Sequence, residues 1–400
     1  MKVGAPAKLN LHLRIGDRRP DGYHEIESLF AALAFGDTLY LETVPKPSIL
    51  EICMNWQPPD GFSGGFSAGK TAIPPEKNII SRAVSLFRSR TGYEEGLKIT
   101  VEKRIPLGGG LGGGSSNAAA ALLALNHLAS EGKGLLNNAE LAEMGASLGS
   151  DVPFFVYLLP GYEKEKNLTT EDTEFHGGNR DWGLGTGDHC SQSQRERNTQ
   201  CFQTKTLVPD PRSLVPIPSS PPCNSVPSVV KNSSFFHTAA WISGKGERVQ
   251  PLELPESARN LSIVLVNPGF PSDTAEAYRL FDVWRGKNAS LLPQDSASLL
   301  QSLSGSPQNW PFFNDFLTVF EAAAGESPSM SESFTAYQHI ISGLREQGAD
   351  FAGLSGSGST CFGVFSGPEK AASARENLAP RWPFVISTFL LARSATPWYN

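Results

Sequence analysis

Cysteine is scarce in this 400-residue chain, with five residues, Cys53, Cys190, Cys201, Cys223 and Cys361, and no C-x-x-C pair among them. That scatter indicates neither a zinc site nor a disulfide framework. The seven histidines are dispersed as well. No run of 18 apolar residues occurs, so the chain offers no membrane-spanning helix and a membrane partner is not expected. A basic excess is also missing. With 34 Lys and Arg against 40 Asp and Glu, the formal net charge is −6, which argues against a general nucleic-acid binder and leaves room only for a local basic cleft. The start, Met1-Lys2-Val3-Gly4-Ala5, has no signal-peptide pattern, and a bacterial cytoplasmic location is expected. Hydrophobic residues make up 40%. That share supports a sizeable core, and the length suggests two or three domains.

One segment dominates what is present: Pro106-Leu107-Gly108-Gly109-Gly110-Leu111-Gly112-Gly113-Gly114-Ser115-Ser116, running directly into Asn117-Ala118-Ala119-Ala120-Ala121-Leu122. Glycine admits φ > 0 and close backbone approach to a ligand. The first N–H groups of the helix that follows have no internal partner and carry the positive end of its dipole. Loop and helix start together form a phosphate cradle. A P-loop is excluded, because no lysine precedes Ser115. The dinucleotide fingerprint can be read into Gly108–Gly113, but it wants an acidic residue about 20 residues on at the end of a second strand, and the stretch to His127 reads as helix. A flexible linker fits poorly between the strand-like Leu97–Val101 and an alanine/leucine helix. The pattern P-x-G-x-G-L-G-x-G-S-S fits without forcing.

This loop resembles the ATP-binding motif of the GHMP kinases. Two further stretches carry the same resemblance: Ala5-Pro6-Ala7-Lys8-Leu9-Asn10-Leu11 near the start, and Gly353-Leu354-Ser355-Gly356-Ser357-Gly358-Ser359-Thr360 near the end. A fourth segment, Asp21-Gly22-Tyr23-His24-Glu25-Ile26, with the triple glycine Gly112-Gly113-Gly114, is similar to one branch of that family. Members of that branch phosphorylate a hydroxyl of a cytidine-diphosphate-linked polyol. The resemblance covers about residues 1–158 and 236–365.

Several roles follow from the resemblance. ATP would be the co-substrate, with its phosphates in the Pro106–Ser116 loop. A serine at such a helix start is also an N-cap worth about 1 kcal/mol, and the residues alone do not separate the two roles of Ser115 and Ser116. In mevalonate-type relatives a loop serine ligates magnesium; here that register falls on Gly114. No protein metal ligand is therefore assigned, and Mg²⁺ is expected on phosphates and water. Asp151, in Gly149-Ser150-Asp151-Val152-Pro153, serves equally as a base or as an Asx turn on residue chemistry alone; the resemblance implies the base. Lys8 would sit beside it and lower its pKa, and Asn10, on the same strand face, would hydrogen-bond the acceptor. Tyr23 and His24 would recognise the cytosine by stacking and by an edge hydrogen bond, with Tyr278 as a second ring across the base. Thr274 would contact the same ligand, and Gly356, Ser357 and Gly358 would bring backbone N–H groups near the transferring phosphate or the polyol. The partner expected is thus a small molecule with a cytidine diphosphate group; oligomeric state stays open. Two alternatives remain: a family kinase acting on mevalonate, homoserine or a sugar, and a non-catalytic relative.

The expected fold class is α+β, a bilobal GHMP kinase fold with a smaller ferredoxin-like C-terminal domain and the site in the cleft. The expected domains are 1–158 with 236–256, and 257–400. Between them, 159–235 reads as an irregular Pro/Ser-rich insertion that cannot offset its ordering entropy by apolar burial. Strands are expected at Lys8–Ile15 (Leu9, Leu11, Leu13 and Ile15 on one face), Ile26–Leu33, Asp37–Thr43, Leu97–Ile105, Val152–Leu159, Ala239–Ser243, Ile263–Asn267, Phe351–Leu354, Cys361–Phe365 and Phe384–Leu391. Helices are expected at Asn78–Arg90, after the glycine loop, and at Asn138–Leu148, Thr274–Asp282, Asn314–Ala324 and Ser331–Gln347. Phe62–Lys70 reads as a mobile loop and Ala289–Trp310 as polar and loosely structured.

Overall fold

A computed structural model describes residues 1–45, 47–57, 77–130, 134–159, 199–202, 237–287 and 296–391. The Phe62–Lys70 loop and nearly all of the 159–235 insertion lie outside them. Within that stretch, Thr199–Phe202 forms a strand antiparallel to Leu50–Trp56, where irregular chain was expected.

The N-terminal sheet has the order β5-β3-β4-β2-β6-β7, with β1 paired to β2. Its strands are β1 (Lys2–Arg18), β2 (His24–Val44), β3 (Leu50–Trp56), β4 (Gly96–Lys103), β5 (Thr199–Phe202), β6 (Ala239–Ser243) and β7 (Arg248–Leu252). Strands β3 and β4 are parallel, joined across α1 (Ile79–Thr91), as a parallel pair requires. The two strands expected at 26–33 and 37–43 are one long strand, β2. The second sheet is antiparallel, β11-β8-β10-β9, built from β8 (Ser262–Asn267), β9 (Phe351–Leu354), β10 (Cys361–Phe365) and β11 (Phe384–Phe389).

Strand β1 departs from simple alternation, and the departure matters for function. Its pairing with β2 shifts register between Pro6 and Lys8 and again between Asn10 and His12. A bulge moves the side chains that follow to the opposite face. Val3, Ala5, Leu13 and Ile15 pack in one apolar cluster, while Ala7, Leu9 and Leu11 pack in the other. The expectation of Leu9, Leu11, Leu13 and Ile15 on one face is thereby corrected. Between the two bulges, Lys8 and Asn10 take the face that their neighbours would otherwise give to leucines. The second cluster also holds Leu29 and Leu33 of β2 with Leu265 of β8 and Phe362 of β10, so it fastens the two sheets together.

Helix α2 (Gly113–Leu128) is buried on nearly every side by its alanines and leucines, which suits alanine's helix propensity. Helix α3 (Asn138–Leu148) starts with a capping box between Asn137 and Glu140. Gly149 closes it in extended geometry, φ −179°, not in the left-handed C′ form. The expected strand at Val152–Leu159 is instead a helix, α4 (Val152–Leu158). A short apolar run does not distinguish a buried helix from a buried strand by periodicity, and Pro153 is tolerated in a first turn. A Cβ on Gly145 would stand 2.7 Å from Val152 Cγ1, so the glycine allows α3 and α4 to pack.

In the C-terminal part, α5 (Glu256–Arg259) precedes β8, and α6 (Thr274–Lys287) follows it. The expected loose stretch at Ala289–Trp310 contains α7 (Ser296–Ser302) and a 3₁₀ turn at Pro307–Asn309. Leu299, Leu303 and Trp310 are buried there, apolar anchors that its serines masked. Helices α8 (Asp315–Ala324), α9 (Pro328–Glu346) and α10 (Pro368–Leu378) complete the layer.

Candidate active site

The three sequence motifs converge through direct hydrogen bonds. The Lys8 N–H donates to the Leu111 carbonyl at 3.0 Å, and the Thr360 N–H to the Gly109 carbonyl at 3.1 Å. The Asn10 N–H donates to Ser355 Oγ at 3.3 Å, which donates to the Gly110 carbonyl at 2.9 Å. The glycines permit this contact. A Cβ on Gly110 would stand 2.1 Å from the Ser355 carbonyl oxygen, and its φ is +74°. Gly112, also left-handed at φ +70°, is the N-cap of α2, and no side chain caps that helix. Of the two readings left open for Ser115 and Ser116, the N-cap is therefore not used. Ser116 Oγ and Asn117 Oδ1 are buried and make no hydrogen bond. Such orphans are uncommon in native interiors, and they stand at the helix start where an anionic ligand would sit.

Beneath the loop, Asp37 and Lys103 form a fully buried pair, Nζ to Oδ2 2.5 Å. Asp37 Oδ1 also accepts the N–H groups of Arg104 and Ile105 at 2.7 and 2.8 Å, fixing the chain as it leaves β4. Burial pulls the Lys103 ammonium below the ordinary lysine range, against the pull of Asp37. Sequence reading missed this pair; a charged residue inside each of two apolar strands was its only signal.

Lys8 is 3% exposed. Its ammonium lies 3.4 Å from Asp151 Oδ2, donates to Asn10 Oδ1, and stands 4.3 Å above the Phe30 ring centroid. Burial lowers its pKa, opposed by the Asp151 charge. Asn10 Nδ2 in turn donates to Ser28 Oγ at 3.0 Å. Asp151 sits at the N-cap of α4 yet makes no cap bond with its side chain; the Asx-turn reading is not what its carboxylate does. It is 23% exposed, open on one side and charge-paired on the other. Its charge also reaches Tyr278, whose hydroxyl is pushed up by burial first and by Asp151 second. A carboxylate in that setting can take a proton from a hydroxyl, with Lys8 beside it to offset charge.

The residues expected around the nucleobase are arranged differently from the simple sandwich. His24 is buried, its ring stacked on Tyr278 at 5.1 Å and edge-on to Phe281 at 5.5 Å. Its Nε2 lies 2.8 Å from Asp282 Oδ1. The ring facing Tyr278 is thus His24, not Tyr23. Tyr23 is exposed, with Lys245 Nζ 4.5 Å from its centroid. Sequence reading missed Asp282 and Lys245. Thr274 Oγ1 pairs with Ser357 Oγ at 2.9 Å, which ties α6 to the third motif. Within that motif the Gly358 N–H is taken by the Ser355 carbonyl, so it is not free for a ligand in this state.

Several stretches of the chain are similar to known proteins. The GHMP kinases N terminal domain matches residues 78–158, and the GHMP kinases C terminal domain matches 314–383. A 4-diphosphocytidyl-2-C-methyl-D-erythritol kinase of Actinobacillus pleuropneumoniae serotype 5b is 45% identical over 152 residues, 38% of this chain and 47% of that protein. One from Paraburkholderia xenovorans is 44% identical over 156 residues, 38% of this chain and 46% of that protein. The chain spans about half the length of these curated relatives in the matched region. Among solved structures, a 4-(cytidine 5'-diphospho)-2C-methyl-D-erythritol kinase aligns with TM-score 0.57 at 26% identity, over 98% of this chain and 100% of that one. Methanococcus jannaschii mevalonate kinase shares the fold at TM-score 0.51 and 12% identity, covering 98% of each chain. Residues 78–158 and 314–383 thus match the two GHMP kinase domains, and the chain shares the fold of the solved GHMP kinases.

Proposed function

We propose that this chain is an ATP-dependent kinase that transfers the γ-phosphoryl group to the 2-hydroxyl of 4-diphosphocytidyl-2-C-methyl-D-erythritol, forming the 2-phosphate and ADP in the non-mevalonate route to isoprenoid precursors. The observation that carries this reading is the Lys8–Asp151–Asn10 cluster, hydrogen-bonded through its own strand to the glycine loop. In the reaction, Asp151 accepts the hydroxyl proton as the oxygen attacks phosphorus. Lys8 offsets charge on that oxygen, and Asn10 orients the acceptor. The loop and the start of α2 would bind the phosphates through backbone N–H groups, with the buried Ser116 hydroxyl left unpaired beside them. Phosphoryl transfer is mostly positioning and charge stabilisation, which a cluster packed against the glycine loop supplies. Mg²⁺ would be held chiefly by the ATP phosphates and water and would neutralise phosphate charge.

The cytidine end is assigned to Tyr23, His24 and Tyr278, with Thr274 and the Gly356–Gly358 turn toward the diphosphate side. That aromatic group favours a nucleobase-bearing acceptor over mevalonate, homoserine or a sugar. The test is ADP release with a panel of acceptors. Activity only with the cytidine-diphosphate polyol supports the assignment, and equal activity with mevalonate or homoserine overturns it. Asp151→Asn should lower kcat by about 10²–10⁴-fold with ATP affinity retained; near-normal turnover in that variant removes Asp151 from the role of base.

A further inference from the structure

We propose that Asp282 sets the nucleobase selectivity of this site. By accepting a hydrogen bond from His24 Nε2, it leaves Nδ1 as an acceptor that pairs with the exocyclic amine of cytosine and repels the 4-carbonyl of uracil. This rests on the reading of a cytidine-diphosphate acceptor given above.

Asp282 Oδ1 lies 2.8 Å from His24 Nε2. An ionised carboxylate only accepts hydrogen bonds, so the shared proton belongs to Nε2. In a neutral imidazole the other nitrogen then carries a lone pair, since the bond made by one nitrogen fixes the state of the other. No hydrogen bond involving His24 Nδ1 exists among the described residues. The ring cannot turn over freely to exchange its nitrogens, because it is stacked on Tyr278 with 13° between planes and meets Phe281 edge-on at 85°. Asp282 is itself held: its other oxygen faces Arg18 Nη1 at 3.8 Å, and its backbone lies within α6. Cytosine and uracil share O2 and ring shape and differ at the 4-position, donor in one and acceptor in the other. A site that fixes an acceptor opposite that position leaves a uracil carbonyl facing a lone pair, the kind of unpaired polar contact that discriminates strongly. Asp282 touches no substrate in this scheme; it is a positioning residue for His24.

The experiment compares kcat and KM for the cytidine-diphosphate acceptor and its uridine counterpart in the wild type, Asp282→Asn and Asp282→Glu. An asparagine amide can donate to Nε2 and so admit the Nδ1–H tautomer, whereas glutamate keeps a carboxylate. The expected result is a fall of tenfold or more in the cytidine-to-uridine ratio of kcat/KM for Asp282→Asn. The fall should arise mainly in KM, and Asp282→Glu should restore part of the ratio. The ¹⁵N spectrum of His24 at pH 8 should report Nε2–H in the wild type and a mixed or reversed tautomer in Asp282→Asn. A ratio unchanged within twofold in a folded Asp282→Asn that still phosphorylates the cytidine acceptor overturns the proposal, as does a wild-type spectrum showing Nδ1–H. A wild type that turns over neither acceptor instead overturns the functional reading, and the two failures are distinguished by that control.

Discussion

Lys8 is an ammonium group surrounded by apolar side chains, and its position explains both its cost and its use. Burial disfavours its charged form, the Asp151 carboxylate opposes that effect only in part, and the Asn10 amide oxygen accepts a hydrogen bond from it. Removing one member of a buried pair is costly when it leaves the other charge unsolvated, but Asp151 is 23% exposed and keeps contact with water, which moderates the cost at Lys8. Lys8→Met is therefore expected to melt within a few degrees of the wild type while kcat falls on the order of 100-fold or more. A calorimetric melt and a turnover assay on the same preparation check this, and a large loss of stability at unchanged kcat contradicts it. Asp37 shows the opposite balance. Asp37→Ala strands the buried Lys103 ammonium and removes the acceptor of two backbone N–H groups. The expected loss is about 3–5 kcal/mol, the range for breaking a buried pair from one side, measured by denaturant unfolding. The motif residues Lys8, Asn10 and Asp151 were legible in the sequence because they stand in contiguous signatures. Asp37, Lys103 and Asp282 were not, since each acquires meaning only from a partner distant along the chain.

At the scale of elements, the glycine loop is shaped by what its backbone touches. Gly110→Ala would place a methyl group 2.1 Å from the Ser355 carbonyl in a left-handed residue, a conformation costing an L-residue roughly 1–2 kcal/mol before any clash. It is expected to separate the first and third motifs and to abolish detectable ATP binding by titration calorimetry. Gly114 differs: a Cβ there meets only Ile79 Cγ2 at 3.8 Å, so Gly114→Ala should fold with wild-type thermal stability. Equal destabilisation by both substitutions contradicts this account of the loop. The helix after the loop was readable from its alanine run. Helix α4 was read as a strand because seven apolar residues satisfy either structure, and only packing of α4 against Gly145 selects one. The bulges of β1 were invisible for a related reason: a register shift is a property of two paired strands, and β1 alone shows unbroken alternation.

For the whole molecule, a pH dependence of stability follows from a residue outside the Lys8–Asp151 pair. His12 is completely buried against Trp241 and Phe313, its Nε2 unpartnered. Burial first, and the Arg14 charge second, push its pKa from 6.5 down to about 4. Between those values the unfolded chain binds a proton that the folded chain does not, so stability rises with pH across this window. It is lost as pH falls from about 6.5 to about 4 and changes no further from this group below that. The difference of about 2.5 units corresponds to about 3 kcal/mol. Asp315, raised by burial, acts with the opposite sign from its ordinary value of 3.8 upward, so the isolating measurement is the slope in His12→Phe. Urea unfolding at pH 7, 6 and 5 should show a decline in the wild type that flattens in the variant, and parallel curves contradict the assignment.

The sequence by itself determined the glycine loop, the three motifs, the α+β class and the choice of Asp151 and Lys8 as the proposed base and cation. Those are local properties: glycine content, helix propensity and short contiguous patterns act on neighbours in the chain. Tertiary structure decided how the motifs meet, through bonds from Lys8 to Leu111, Asn10 to Ser355 and Thr360 to Gly109. It also decided that Asp151 caps nothing, that the two bulges turn Lys8 and Asn10 to the site, and that His24 stands between Tyr278 and Asp282. Each depends on burial, register or the approach of residues hundreds of positions apart, quantities that have no value until the sheets have paired and the two apolar clusters have closed.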